Sequence, residues 1–129
     1  NIYIIGMMNT ADRSLAMIDY ALRRRFSFFE MEPGFDSEGF IHYQNGLNNE
    51  TLNELIYKVK DLNHEIALDK SLGKGFCIGH SYFCGRDICT DEWMHSIVDY
   101  DILPMLSEYW FDDPNKLLRW ENILQGVFQ

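Results

Sequence analysis

The sequence predicts an α/β piece: a strand–helix–strand unit from a parallel sheet, then a mostly α-helical subdomain with a small extended insert. Three observations carry this. The run Ile2-Tyr3-Ile4-Ile5 is apolar on both faces, as a strand at the centre of a sheet must be. One helical stripe and a second alternating run follow it, which is the order of the building block of a parallel sheet. From about residue 36 helical periodicity takes over, interrupted only where Gly73, Gly75 and Gly79 cluster. The boundary falls between residues 34 and 35, giving sections 1–34 and 35–129.

Residues 2–7 form the first strand, and a polar loop leads to Ser14, whose hydroxyl can cap a helix by accepting from an orphaned backbone N–H. The helix over 15–25 carries Leu15, Ile18, Leu22 and Phe26 on one stripe. Phe26, Phe28 and Glu30 alternate against Ser27, Phe29 and Met31, so 26–31 reads as the second strand, ended by a turn at Pro33-Gly34. A short helix over 36–44 runs to a stop at Asn45-Gly46. Leu52, Leu55, Ile56, Val59, Leu62 and Ile66 mark a long amphipathic helix over 49–69. Phe76-Cys77-Ile78 and Ser81-Tyr82-Phe83 read as short extended segments. Asp91 is the expected cap of a helix over 92–100, and a separate helix covers 101–110. Asp113-Pro114 opens the last helix, with proline in the first turn where its missing N–H is harmless. That helix is expected to bury Leu117, Leu118, Ile123 and Trp120. Internal repeats and low-complexity stretches are absent from the sequence.

At 129 residues and 47% apolar content, the length fits one domain or a piece of a larger one, with ample material for a core. A formal net charge of −9 argues against this chain being a main nucleic-acid-binding surface, which needs a basic field. The positive charge is concentrated, with Arg13, Arg23, Arg24 and Arg25 supplying four of the eleven basic residues. No apolar run reaches membrane-spanning length, and no secretory signal is visible. Three cysteines, an odd count, fit a reducing cytoplasm better than a disulfide framework. A start on Asn rather than Met suggests a processed chain or a piece of a longer one.

Asn9 lies just past the end of the first strand, and ligands of open α/β sheets sit outside the strands' carboxyl ends. A neutral amide there can orient a water or touch a phosphate; equally, it can satisfy loop backbone groups. On the helix, Arg23 falls four residues after Asp19, the favourable acid-before-base order. Arg24 points directly away from the apolar stripe, and Arg25 lies on its other flank. The three arginines also fit a solvated helix end that complements the dipole.

Cys77, His80, Cys84 and Cys89 offer soft ligands of the kind zinc takes. Their spacing does not form paired knuckles, so buried thiols are the preferred reading and no metal site is assigned. His42, His64 and His95 stand isolated. No nucleophile-elbow pattern appears, and neither does a G-x-x-x-x-G-K-[ST] phosphate loop, whose pattern Gly73-Lys74-Gly75 does not meet.

Two long motifs remain. One is Met8-Asn9-Thr10-Ala11-Asp12-Arg13-Ser14 with Ile18-Asp19-Tyr20-Ala21-Leu22-Arg23-Arg24-Arg25-Phe26 and Glu32-Pro33. The other is Gly73-Lys74-Gly75-Phe76 with Ile78-Gly79-His80-Ser81-Tyr82-Phe83. In sequence, order and separation they resemble the AAA+ GTPase subunit of McrBC-type, 5-methylcytosine-specific restriction systems.

The resemblance implies that 1–34 is the end of a AAA+ core and 35–129 its helical lid. Asn9, at the sensor I strand end, would position the water that attacks GTP, and Asp12 and Arg13 would belong to the loop at the subunit boundary. Arg24 and Arg25 would be arginine fingers reaching a neighbour's site, supported by Asp19. His80, Ser81 and Tyr82 would lie near the nucleotide on the lid. GTP and Mg2+ would be the cofactors of the full-length protein, which would form a homo-oligomeric ring, work with a nuclease subunit in the cytoplasm, touch DNA through other regions and have no contact with a membrane. This chain alone, lacking a phosphate loop, would neither hold nor hydrolyse GTP. The competing expectation is a non-catalytic assembly domain that keeps the AAA+ scaffold.

Overall fold

The computed structural model describes residues 1–9, 11 and 20–129. They fall into two units, Asn1–Met31 and Glu32–Gln129. In the first unit, α1 (Tyr20–Arg23) ends in a turn closed by the Arg25 N–H on the Leu22 carbonyl at 3.1 Å, so the described helix stops before Arg25. Residues 15–19 of the expected 15–25 helix, with its Ser14 cap, lie outside the described residues. The two expected strands are not formed among the described residues: 2–9 and 26–31 carry no ladder. A strand needs another strand's N–H and C=O groups, and none of the described residues supplies them.

The second unit is helical throughout. Ser37 caps α2 (Glu38–Leu47), its Oγ accepting from the Phe40 N–H. The helix runs through Asn45-Gly46 and stops at Asn48, which takes the left-handed conformation (φ 46°, ψ 51°) that Asn tolerates better than most residues. Asn49 caps α3 (Glu50–Leu68), its Oδ1 accepting from the Leu52 N–H at 2.9 Å. As its periodicity predicts, α3 buries Leu52, Leu55, Ile56, Val59, Leu62 and Ile66.

Two 3₁₀ turns, Lys74–Phe76 and His80–Phe83, replace the expected extended segments. Gly73 enters the first at φ 101°, a conformation that favours glycine.

Next comes one continuous rod where two helices were expected. It consists of α4 (Asp91–Ser96), a π-helical stretch (Ile97–Ile102) and α5 (Leu103–Tyr109). Its cap is Thr90, not Asp91, with Oγ1 accepting from the Trp93 N–H at 3.2 Å. Asp113 caps α6 (Pro114–Gly126) as expected. That helix buries Trp120 and Leu124, whereas Leu118 is 54% exposed. α3 packs against α6 and the first 3₁₀ turn, and α6 also meets α5.

Candidate functional site

In the first unit, Asn9 is exposed and its Oδ1 accepts from the Ala11 N–H at 3.0 Å, a turn closed by the side chain itself. Arg23, Arg24 and Arg25 are exposed at the end of α1. Asp12, Arg13 and Asp19 lie outside the described residues, and with them the expected Asp19–Arg23 pair.

The second unit offers a compact candidate around its two 3₁₀ turns. α3 supplies the foundation. Asn63, flanking the apolar stripe, turns its amide onto one residue: Nδ2 donates to the Ile78 carbonyl at 2.8 Å, and Oδ1 accepts from the Ile78 N–H at 2.5 Å. One side chain thus satisfies both backbone groups of Ile78, which is itself buried. Upstream, the Tyr109 hydroxyl donates to the Phe76 carbonyl at 3.0 Å. Downstream, Phe83 is fully buried, with its ring 6.0 Å from that of Phe35. The segment between Ile78 and Phe83 is therefore fixed at both ends.

Between those ends stand His80, Ser81 and Tyr82. His80 is half-buried; its Nδ1 accepts the Gly34 N–H at 2.9 Å, and its ring meets Phe40 edge-on at 5.6 Å. Ser81 and Tyr82 are exposed, and their hydroxyls can donate or accept hydrogen bonds. Lys74 reaches from the first turn to Glu32 at 3.1 Å, both side chains being well exposed. Together the turns offer a ligand the Ser81 and Tyr82 hydroxyls, beside a Lys74 already engaged by Glu32.

The thiols go elsewhere. Cys77 Sγ donates to the Asn63 carbonyl at 3.4 Å, and Cys84 Sγ to the His80 carbonyl at 3.5 Å. Burial pushes the pKa of Cys77, Cys84 and Cys89 up, with the charge of Glu32 adding to it at Cys77 and that of Asp91 at Cys89. Each shift favours the thiol over the thiolate that a metal requires. Among the described residues, no three His, Cys, Asp or Glu side chains converge as a metal site.

A second polar cluster ties α3 to α6. Asp69 Oδ1 accepts from the Ser71 hydroxyl (2.7 Å) and N–H (2.8 Å), and Oδ2 from Trp110 Nε1 (2.9 Å). These bonds, the Ser71 hydroxyl first, hold the carboxyl at about 2, helped by Lys116 and opposed by partial burial. Glu65 accepts from Arg119 and from Trp120 Nε1. This cluster fastens helices. A shallow groove of about 280 Å³ between Phe35, Ile41, Ile56 and Tyr57 is rimmed by the Asp36–Lys60 ion pair.

Asn63 was not singled out by the sequence, and Gly34 only as part of a turn. A signal existed for Asn63, since a short amide inside a long helix competes with the backbone and needs a reason to be there.

Comparison with known proteins agrees with this architecture. A family model described as McrB, α-helical lid domain, matches residues 54–118. The type IV methyl-directed restriction enzyme EcoKMcrB subunit of Escherichia coli K12 is 52% identical over 133 aligned positions, which cover 98% of this chain. The chain spans 29% of that relative's length. No helix among the described residues is long and apolar enough to cross a membrane.

Proposed function

The chain belongs to the family of McrB α-helical lid domains, and from that premise we propose that it is the C-terminal part of the AAA+ GTPase subunit of a modification-dependent DNA restriction system. The observation that carries this reading is the 52% identity sustained over 98% of the chain, which reaches well outside the matched lid. In this reading 2–7 and 26–31 are strands whose ladder partners belong to the rest of the subunit's sheet. Their exposure supports it: Ile2 is 91% and Phe29 88% exposed, which suits surfaces that another layer covers.

Asn9, at the end of the first strand, orients the water that attacks the γ-phosphate of GTP bound with Mg2+ by other parts of the same subunit. Arg24 and Arg25 serve the neighbour in a homo-oligomeric ring, where they stabilise charge developing on the transferred phosphoryl group. Asp19 supports them, and Asp12 and Arg13 belong to the loop at the subunit boundary. A finger of this kind is worth on the order of 10³–10⁵ in rate. The lid turns its exposed Ser81 and Tyr82 hydroxyls toward the nucleotide. Turnover drives a nuclease partner on DNA held by other regions, in the cytoplasm.

The test uses full-length protein. Arg24→Ala subunits are mixed with subunits that keep Arg24 but lack a working nucleotide-binding loop, so that hydrolysis needs a finger in trans. Subunits next to an intact Arg24 should turn over GTP normally, and those next to Arg24→Ala should be slower by on the order of 10³. Equal turnover in both contexts removes Arg24 from the mechanism. A full-length protein with no nucleotide hydrolysis at all would favour the assembly-domain reading.

A further inference from the structure

We propose that His80 is a positioning residue: it latches the entry segment Glu32–Phe35 to the Ser81–Tyr82 turn, so that the two move as one piece. The latch joins residues 46 positions apart through the Gly34 N–H, which donates to His80 Nδ1 at 2.9 Å. An Nδ1 that accepts carries no proton, so the neutral ring holds its proton on Nε2. Gly34 meets the ring closely. A Cβ at this position would lie 3.0 Å from His80 Cε1 and 3.3 Å from both ring nitrogens, so only a residue without a side chain lets backbone and imidazole approach this far.

The ring itself is held. It meets Phe35 at 6.2 Å and Phe40 at 5.6 Å, both edge-on. Neighbouring contacts hold the entry segment and join it to the two turns. Ser37 Oγ donates to the Gly34 carbonyl at 2.7 Å, Phe35 packs on Phe83, and Lys74 reaches Glu32. The Lys74–Glu32 pair is exposed and therefore weak, so the half-buried His80 bond is the stronger of the two polar contacts, beside the apolar packing of Phe35 on Phe83. On its other side the turn is anchored to α3 through Asn63 and Ile78. A tilt of the turn must either drag Gly34 along or break the bond.

The segment that His80 grips is where the chain passes into the second unit. A ligand that engages Ser81 or Tyr82 is therefore felt at that passage, and His80 acts through Gly34 instead of touching the ligand. The functional half of this inference rests on the GTPase reading above; the latch itself does not.

Two substitutions in the full-length protein separate packing from hydrogen bonding. His80→Phe keeps a ring between Phe35 and Phe40 but removes the acceptor. His80→Asn removes the ring but places Oδ1 where Nδ1 stood. Amide hydrogen exchange at Gly34 should speed up roughly 5- to 10-fold in His80→Phe, the loss of one net hydrogen bond, with α3 unchanged. His80→Asn should restore protection. In parallel, GTP kcat should fall in His80→Phe with KM little changed, and recover in His80→Asn.

Unchanged exchange at Gly34 in His80→Phe would overturn the latch. So would a rise spread through α3, the mark of a loosened core. A local rise with kcat untouched would overturn the coupling to turnover. If the unsubstituted protein hydrolyses no nucleotide, the GTPase reading falls, and the exchange measurement still decides whether the latch exists.

Discussion

Single polar side chains carry much of this structure. Asn63 replaces two backbone partners at once for buried Ile78. Asn63→Ala should therefore destabilise the lid by about 2–4 kcal/mol, two unmet groups at 1–3 kcal/mol each less some recovery by water, read from urea midpoints at unchanged slope. Asp69 gives a pH signature. Its pKa falls from 3.8 to about 2 on folding, so the stability it contributes is complete above about pH 5 and is lost as pH falls through 3.8 toward 2. Asp69→Asn should flatten that part of the stability profile and lower stability at neutral pH, because an amide nitrogen facing Trp110 Nε1 sets donor against donor. Urea unfolding between pH 2 and 7 checks both. The helix cap at Asp113 was visible in the sequence, since capping is a local act of a short polar side chain. The His80–Gly34 bond was not, because no local pattern announces a contact spanning 46 residues.

Among the elements, α3 was legible nearly to its ends, because six apolar positions at helical spacing leave little alternative. The rod from Asp91 to Tyr109 was misread as two helices, for a reason its buried residues make plain. Met94, Val98, Ile102, Leu106 and Trp110 recur every fourth residue. At about 100° per residue, each such step overshoots a full turn by about 40°, and four steps would carry Trp110 about 160° away from Met94. The π stretch at Ile97–Ile102 unwinds the helix and takes up that drift, with the Leu103 N–H bonded to the Val98 carbonyl five residues back. Pro104 contributes, since it has no N–H for the Tyr100 carbonyl and its ring crowds that group. The π stretch therefore holds one residue more than an α-helix needs. Deleting Tyr100, which is 79% exposed, should lower the melting temperature by only roughly 4–8 °C, the equivalent of about 1 kcal/mol. Deleting Lys58 from α3 would rotate Val59, Leu62 and Ile66 off the core face, and cooperative melting should disappear. Calorimetry of the two variants makes the comparison.

At the scale of the whole molecule, the described core lies entirely at Phe35 and beyond. Of the twenty acidic residues only Asp12, Asp19 and Glu30 precede the second unit, so most of the net negative charge belongs to that unit. The helical character of the second unit was legible because its core is built from residues near one another along α3 and the rod. The first unit reads as strands because its apolar runs are written for neighbours, and periodicity alone cannot say which surfaces those neighbours provide. Ile2, Tyr3, Ile5, Phe29 and Met31 are each at least 85% exposed, at the density of apolar residues found in sheet interiors. In solution such runs are adhesive, and one copy's unpaired edge is a template for the next. The 129-residue chain should sediment as a concentration-dependent series of associated species, and a chain beginning at Glu32 as a single monomer. Purification would then favour the shorter chain, and the longer one would stay soluble only where those apolar runs are covered.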